Sequence, residues 1–148
     1  MEGVLHSLRL TVTVDGSIHS AAGHQLYQEC RTLHGCPTGQ TKITRGYDLP
    51  AKCTRFPVPT LMVTDVLHTV GPIGQDSHSL QSCYFTCMEL AAQQGVKTVV
   101  FCGISTGIFG YPLYPASHIA LRTVRDWMEK GNNRDMVLFS ISQAQSEG

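Results

Sequence analysis

The run Val-Val-Phe-Cys-Gly-Ile-Ser-Thr-Gly-Ile-Phe-Gly-Tyr-Pro at positions 99–112 constrains this chain more than any other stretch. It starts solidly apolar, as a strand buried on both faces does. It then breaks into Gly103, Ile104, Ser105, Thr106, Gly107, Ile108, Phe109 and Gly110, and Pro112 precedes a helical pattern. A strand that opens into glycines and then a helix start is where α/β proteins bind phosphates. Backbone N–H groups face outward there, glycines allow close approach, and the helix dipole favours an anion. The Lys-Ser/Thr pair of a P-loop and the spacing of a dinucleotide fingerprint are both absent. The competing reading is a tight strand-to-helix turn whose glycines serve geometry alone.

With 148 residues the chain suits one domain, which would bury roughly 68–70% of its unfolded surface. Its formal net charge is zero, which gives no electrostatic case for a nucleic acid or an anionic membrane as partner. No apolar run approaches the roughly 18 residues of a membrane span, and the N-terminus does not read as a signal peptide. A cytoplasmic or nuclear location is expected, with a mitochondrial transit segment over residues 1–10 as the alternative. The six cysteines, Cys30, Cys36, Cys53, Cys83, Cys87 and Cys102, mostly sit within apolar patterns, so they read as reduced thiols. Neither Cys-x-x-Cys nor a paired-histidine spacing occurs, so no metal is expected.

Taken in order, residues 5–14 read as a short strand and Asp15-Gly16 as its punctuation. Apolar positions Ile18, Ala21, Ala22, Leu26, Tyr27 and Cys30 keep a helical period over 17–33, interrupted by Gly23. Asp15 stands just ahead of that helix, where a carboxylate caps free N–H groups, and on spacing alone it reads as an ordinary N-cap. A strand over 41–47 is turned by Asp48-Leu49-Pro50, and another runs over 66–70 to Gly71-Pro72. Between them, 54–64 carries Pro57 and Pro59, which exclude a central strand and favour an extended edge segment. Helices are expected over 79–94, stopped by Gly95, and over 116–130, stopped by Gly131. A last strand covers 136–141, and 143–148 should fray. Strands alternating with helices call for a layered α/β sheet, mixed or mostly parallel, with ligands at the carboxyl ends of its strands.

Several stretches together resemble the macrodomain family, in its MacroD-type branch. They are Val14-Asp-Gly-Ser-Ile-His-Ser-Ala-Ala-Gly23, Glu29-Cys-Arg31, and the run from Cys36-Pro-Thr-Gly-Gln-Thr-Lys42 through Leu49-Pro-Ala-Lys52. His68-Thr-Val-Gly-Pro72, Ile104-Ser-Thr-Gly-Ile-Phe-Gly-Tyr-Pro112 and Ile119-Ala-Leu-Arg-Thr-Val-Arg-Asp-Trp127 complete the set. The matches are collinear from Val14 to Ile141. The resemblance implies a three-layer α/β/α mixed sheet that binds ADP-ribose or mono-ADP-ribosylated proteins and needs no cofactor. It implies hydrolysis of mono-ADP-ribosyl–protein bonds or deacetylation of O-acetyl-ADP-ribose, with Asp15 orienting the attacking water. Ser105, Thr106, Gly107, Ile108, Phe109 and Gly110 would wrap the diphosphate and distal ribose, Phe109 standing against that ribose. Val14 and Gly16 would line the approach to the helix start. His19, one turn on, is read as structural rather than catalytic.

The departures from the family pattern are equally specific. Its first strand with Gly-Asp-Ile, the Asn-Ala-Ala-Asn segment and the glycine run before Val-Asp-Gly have no counterpart among residues 1–13. Residues 54–65 are extra and would split a strand that is usually continuous. Ser142 stands where an adenine-stacking aromatic is usual, and the final helix is missing. The expectation is therefore an atypical segment over 1–13, a macrodomain over 14–142 truncated at both ends, and a disordered tail over 143–148. Residues 8–14 would have to serve as a strand, with an exposed sheet edge as the result. Losing groups that recognise the base weakens affinity, so the alternative function is a non-catalytic ADP-ribose-binding module or an inactive truncated isoform.

Overall fold

The computed structural model describes residues 8–12, 16–49, 63–131 and 136–139. Among these, the chain runs β1 (Leu8–Val12), α1 (Gly16–Ala22), α2 (His24–Thr32), β2 (Thr41–Arg45), β3 (Val63–Thr69), α3 (Ser77–Gln93), β4 (Thr98–Phe101), α4 (Leu113–Glu129) and β5 (Met136–Phe139). The strands form one mixed five-stranded sheet in the order β2-β3-β1-β4-β5. β1 is parallel to β3 and β4, and β5 is parallel to β4. Only β2 runs antiparallel, against β3. Of the strand expected over 5–14, Leu8–Val12 is described as β1, and it lies at the centre of the sheet rather than at an exposed edge.

Alternation along the strands builds two cores, one on each face. Val66 and the half-buried Val100 pack with Ala22, Leu26 and Leu49 beneath α1 and α2. Leu67, Val99 and Phe101 face the other way, onto Leu80, Cys83, Tyr84, Cys87, Met88 and Ala91 of α3 and Ala116, Ala120, Val124 and Trp127 of α4. The expected three-layer α/β/α arrangement follows directly, since a sheet with two apolar faces must be covered twice. Each fully buried large side chain contributes about 1.5–3 kcal/mol relative to leaving it in water.

Local chemistry sets the ends of the elements. The helix expected over 17–33 is two helices, because Gly23 adopts φ 88° and ψ −179°, a conformation open essentially to glycine alone. The Asp76 side chain caps α3 by accepting from the Ser79 N–H at 3.1 Å and from Ser79 Oγ at 2.6 Å, so α3 begins two residues earlier than the periodicity predicts. At its other end Gly95 N–H donates to Ala92 and Val96 N–H to Ala91, with Gly95 at φ 68°, a Schellman stop. α4 begins at Leu113 because Pro115 occupies its first turn, where a missing N–H costs nothing.

One expectation needs correcting. Val63 and Thr64 fall in the segment expected to be an extended edge, yet with Asp65 they open β3, a strand paired on both sides. Pro57 and Pro59 lie upstream, so from Val63 onward every N–H is available to the ladder. The rest of that segment, together with Ser142 and the tail over 143–148, lies outside the described residues.

Candidate ligand-binding site

Strands β1, β3 and β4 run in one direction, and their registers place Val12 beside His68 and Thr11 beside Phe101. Their carboxyl ends therefore open onto the same edge of the sheet, the usual ligand side of an α/β fold. Three segments emerge there: Gly16 at the start of α1, Gly71-Pro72 after β3, and the loop 102–112 between β4 and α4. The turn before β2 joins them, its Gly39 N–H donating to Val70 O at 2.8 Å.

The loop has a buried foot and an exposed tip. Ile104 and Ser105 are almost fully buried, at 1% and 4% exposure. The Ile104 N–H donates to the Tyr84 hydroxyl at 3.4 Å. Ser105 sits at φ 62°, the left-handed region that a residue bearing a Cβ enters at a cost. Its Oγ is buried without a partner among the described residues. That oxygen lies against Gly71, where an added Cβ would come within 2.2 Å of it. Glycine is required at 71 for this close approach.

Above the foot the loop folds on itself. Tyr111 N–H donates to Ser105 O at 2.9 Å and Gly110 N–H to Gly107 O at 3.0 Å, while Gly74 N–H reaches Phe109 O at 3.0 Å. Thr106 Oγ1 donates back to Gly103 O at 3.2 Å. The N–H groups of Thr106, Gly107, Ile108 and Phe109 find no acceptor among the described residues. Gly107, Ile108 and Gly110 are exposed, and Phe109 keeps 36% of its surface. A run of unpaired N–H groups on a stiff loop can take an anion without any side-chain charge.

Of the residues singled out from sequence, the structure gathers Ser105, Thr106, Gly107, Ile108, Phe109 and Gly110 into this loop and sets Gly16 at the same sheet edge. Val14 and Asp15 lie outside the described residues. Ser105 turns its side chain inward, so only its backbone belongs to the open surface. Sequence reading missed the two supports of the loop. In the sequence Gly71 reads merely as a strand end, and Tyr84 falls without distinction inside the helix expected over 79–94.

Beneath α1 and α2 lies a second polar group. His68 Nε2 is 2.8 Å from Thr44 Oγ1 and 3.8 Å from Cys30 Sγ. The His19 ring lies 6.3 Å from the His68 ring and edge-on to Tyr27 at 6.4 Å. Burial, and then the neighbouring His19, hold the His68 imidazole down at about 4, so it is neutral at physiological pH. His19 thus packs as part of the core's polar fringe.

The described cysteines are all free thiols. Burial pushes Cys87 up to about 12 and raises Cys83 as well, which leaves both protonated and unreactive. Among the described residues no cluster of three or more His, Cys, Asp or Glu could hold a metal. No helix described is long and apolar enough to cross a membrane.

A mixed sheet between two helical layers, with an anion-ready glycine loop at its parallel carboxyl edge, defines a three-layer α/β/α domain with its ligand side at that edge. The Macro domain family model matches residues 5–120, and the chain belongs to that family. The chain is 44% identical to the ADP-ribose glycohydrolase MACROD2 of Xenopus laevis over 135 residues, which are 86% of this chain and 29% of that protein. Against the ADP-ribose glycohydrolase MACROD1 of Rattus norvegicus it is 42% identical over 142 residues, 91% of this chain and 50% of that protein. The chain thus spans at most half the length of these two relatives. The crystal structure of the Trypanosoma brucei macrodomain in complex with ADP-ribose superposes with a TM-score of 0.78 at 38% identity, covering 91% of this chain and 57% of that one.

Proposed function

We propose that this chain binds ADP-ribose in the loop 102–112 and hydrolyses the bond joining ADP-ribose to a modified protein side chain. The observation that carries the reading is the run of four N–H groups at Thr106, Gly107, Ile108 and Phe109 that are unpaired among the described residues and stand at the carboxyl end of parallel strands. Two phosphate charges are met there by backbone dipoles, which suits a chain of zero net charge. The names of the relatives, ADP-ribose glycohydrolases, and the bound ligand of the trypanosomal neighbour support the same ligand. By the family resemblance Phe109 flanks the distal ribose, and Val14 and Gly16 are assigned to the approach beside it.

Hydrolysis needs a water aimed at the anomeric carbon and a carboxylate to orient it or take its proton. Asp15, directly before α1, is assigned that role by its place in Val14-Asp-Gly16. Water adds its oxygen to the anomeric carbon, the bond to the protein side chain breaks, and the side chain leaves with its own oxygen. An acetyl ester on the same ribose would be cut by the same water to give acetate. A cytoplasmic or nuclear setting is part of this proposal.

Calorimetric titration with ADP-ribose tests the binding. The Gly107→Leu variant should fold normally, because a Cβ at 107 meets nothing within 4 Å and the backbone is not left-handed there. It should nevertheless bind at least about tenfold more weakly, since the new side chain stands where the diphosphate must approach. No heat from the parent chain would sink the reading. For catalysis, Asp15→Ala should slow release of ADP-ribose from a mono-ADP-ribosylated protein by about a hundredfold while ADP-ribose still binds. Equal turnover in parent and variant would remove Asp15 from the mechanism. Binding without turnover in the parent would establish the second reading, a recognition module.

A further inference from the structure

We propose that Tyr84 is a positioning residue: its phenol, buried in α3, holds the entry of the loop 102–112 and thereby sets how well that loop binds a diphosphate. The inference rests on the ADP-ribose reading for its ligand and on geometry for its mechanism. Tyr84 is 3% exposed, and its ring packs against Phe101 with centroids 5.1 Å apart, which ties it to the last residue of β4. Its hydroxyl accepts from the Ile104 N–H at 3.4 Å, across twenty residues of sequence.

That single contact falls where the backbone has least freedom. Ile104 is the last residue before Ser105 at φ 62°, and the Ser105 side chain is lodged against Gly71 with an unpartnered Oγ. A left-handed serine persists only where its surroundings over-determine it. Ser105 is gripped from three directions: Tyr111 N–H on its carbonyl, the face of Gly71 against its side chain, and Tyr84 on the peptide just before it. The four N–H groups that meet the ligand begin at the very next residue. An angular change at Ile104 therefore moves all of them together, and preorganisation is where a loop of unpaired donors gains affinity. Burial also raises the Tyr84 phenol to about 12, so it stays a neutral hydroxyl throughout the working range.

Tyr84→Phe keeps the ring on Phe101 and removes the acceptor alone. Amide exchange by NMR on the full chain, free of ligand, should show Ile104 exchanging about tenfold faster in the variant, while Val66, Leu67 and Val99 in the sheet are unchanged. ADP-ribose affinity should fall about five- to tenfold with the thermal midpoint nearly constant. A role in packing alone would slow or speed the sheet amides together with Ile104. If the parent binds ADP-ribose and the variant binds equally well, the inference is overturned while the proposed function stands. If the parent gives no heat, the function falls and takes the ligand half of this inference with it. A third arm needs no variant: Ile104 should be protected in the parent, and an Ile104 amide exchanging as fast as exposed Gly107 would refute the anchor.

Discussion

Gly71→Ala is expected to destabilise the protein by about 3 kcal/mol, the upper end of what one added methyl does in a close-packed site. The added carbon would stand 2.2 Å from Ser105 Oγ and 2.8 Å from Ile104 Cγ2. Neither neighbour can swing into solvent, because both residues are buried and Ser105 is held in a left-handed conformation. The strain has to go into β3 or into the foot of the loop, so ADP-ribose binding should be lost along with stability. Ser105→Gly isolates the cause. Alone it should be neutral or slightly stabilising, since glycine accepts φ 62° freely and removes an unpartnered buried oxygen. Combined with Gly71→Ala it should recover about half the loss, a coupling of about 1–2 kcal/mol in a double-mutant cycle by urea denaturation. Additive effects in that cycle would show that the two residues do not compete for the same space.

The second large effect is acid sensitivity centred on His68. Its folded value near 4 lies below the ordinary imidazole value of 6.5, so between those limits the unfolded chain binds a proton that the folded chain refuses. Stability from this group is complete above about pH 6.5, falls as pH drops towards 4, and changes no further below it. The shift corresponds to about 3 kcal/mol lost across that window. The groups facing His68 give the reason. His19 on α1 adds like charge if both rings protonate. Thr44 on β2 and Cys30 on α2 offer only neutral partners. Among the described residues Glu29 pulls the other way, and its carboxylate is already accepting from the Tyr47 hydroxyl at 2.7 Å and from the Arg45 N–H at 3.2 Å. In His68→Gln the dependence of this step should vanish, so the variant should gain about 3 kcal/mol on the parent between pH 7 and pH 4. Urea midpoints at several pH values decide it, and parallel curves for the two proteins would reject the role of His68.

These two positions also show where sequence reading runs out. Helical periods over 79–94 and 116–130 carried α3 and α4 because each buries one continuous stripe, and a stripe repeats locally. The glycine loop was legible for the same reason, its signal being a strand, a break and a helix start in one run of residues 99–112. Gly71 was not, since its requirement for a missing side chain comes from Ser105, brought against it only by the parallel pairing of β3 and β4 to either side of β1. His68 read as part of a strand, and nothing near it in sequence announces that His19, Cys30 and Thr44 converge on its ring. Val63 and Thr64 read as edge because prolines a few residues away dominate the local pattern, and the ladder with β1 overrides it.

By itself, then, the order of residues determined the alternation of strands and helices, the phosphate-ready character of loop 102–112 and the macrodomain resemblance, all of which depend on neighbours along the chain. The tertiary structure decided which strand lies at the centre, that Ser105 is a buried foot rather than part of the open tip, and that Tyr84 and Gly71 hold it there. Those outcomes depend on groups that sequence keeps tens of residues apart, and only sheet register and close packing bring them within hydrogen-bond or van der Waals reach.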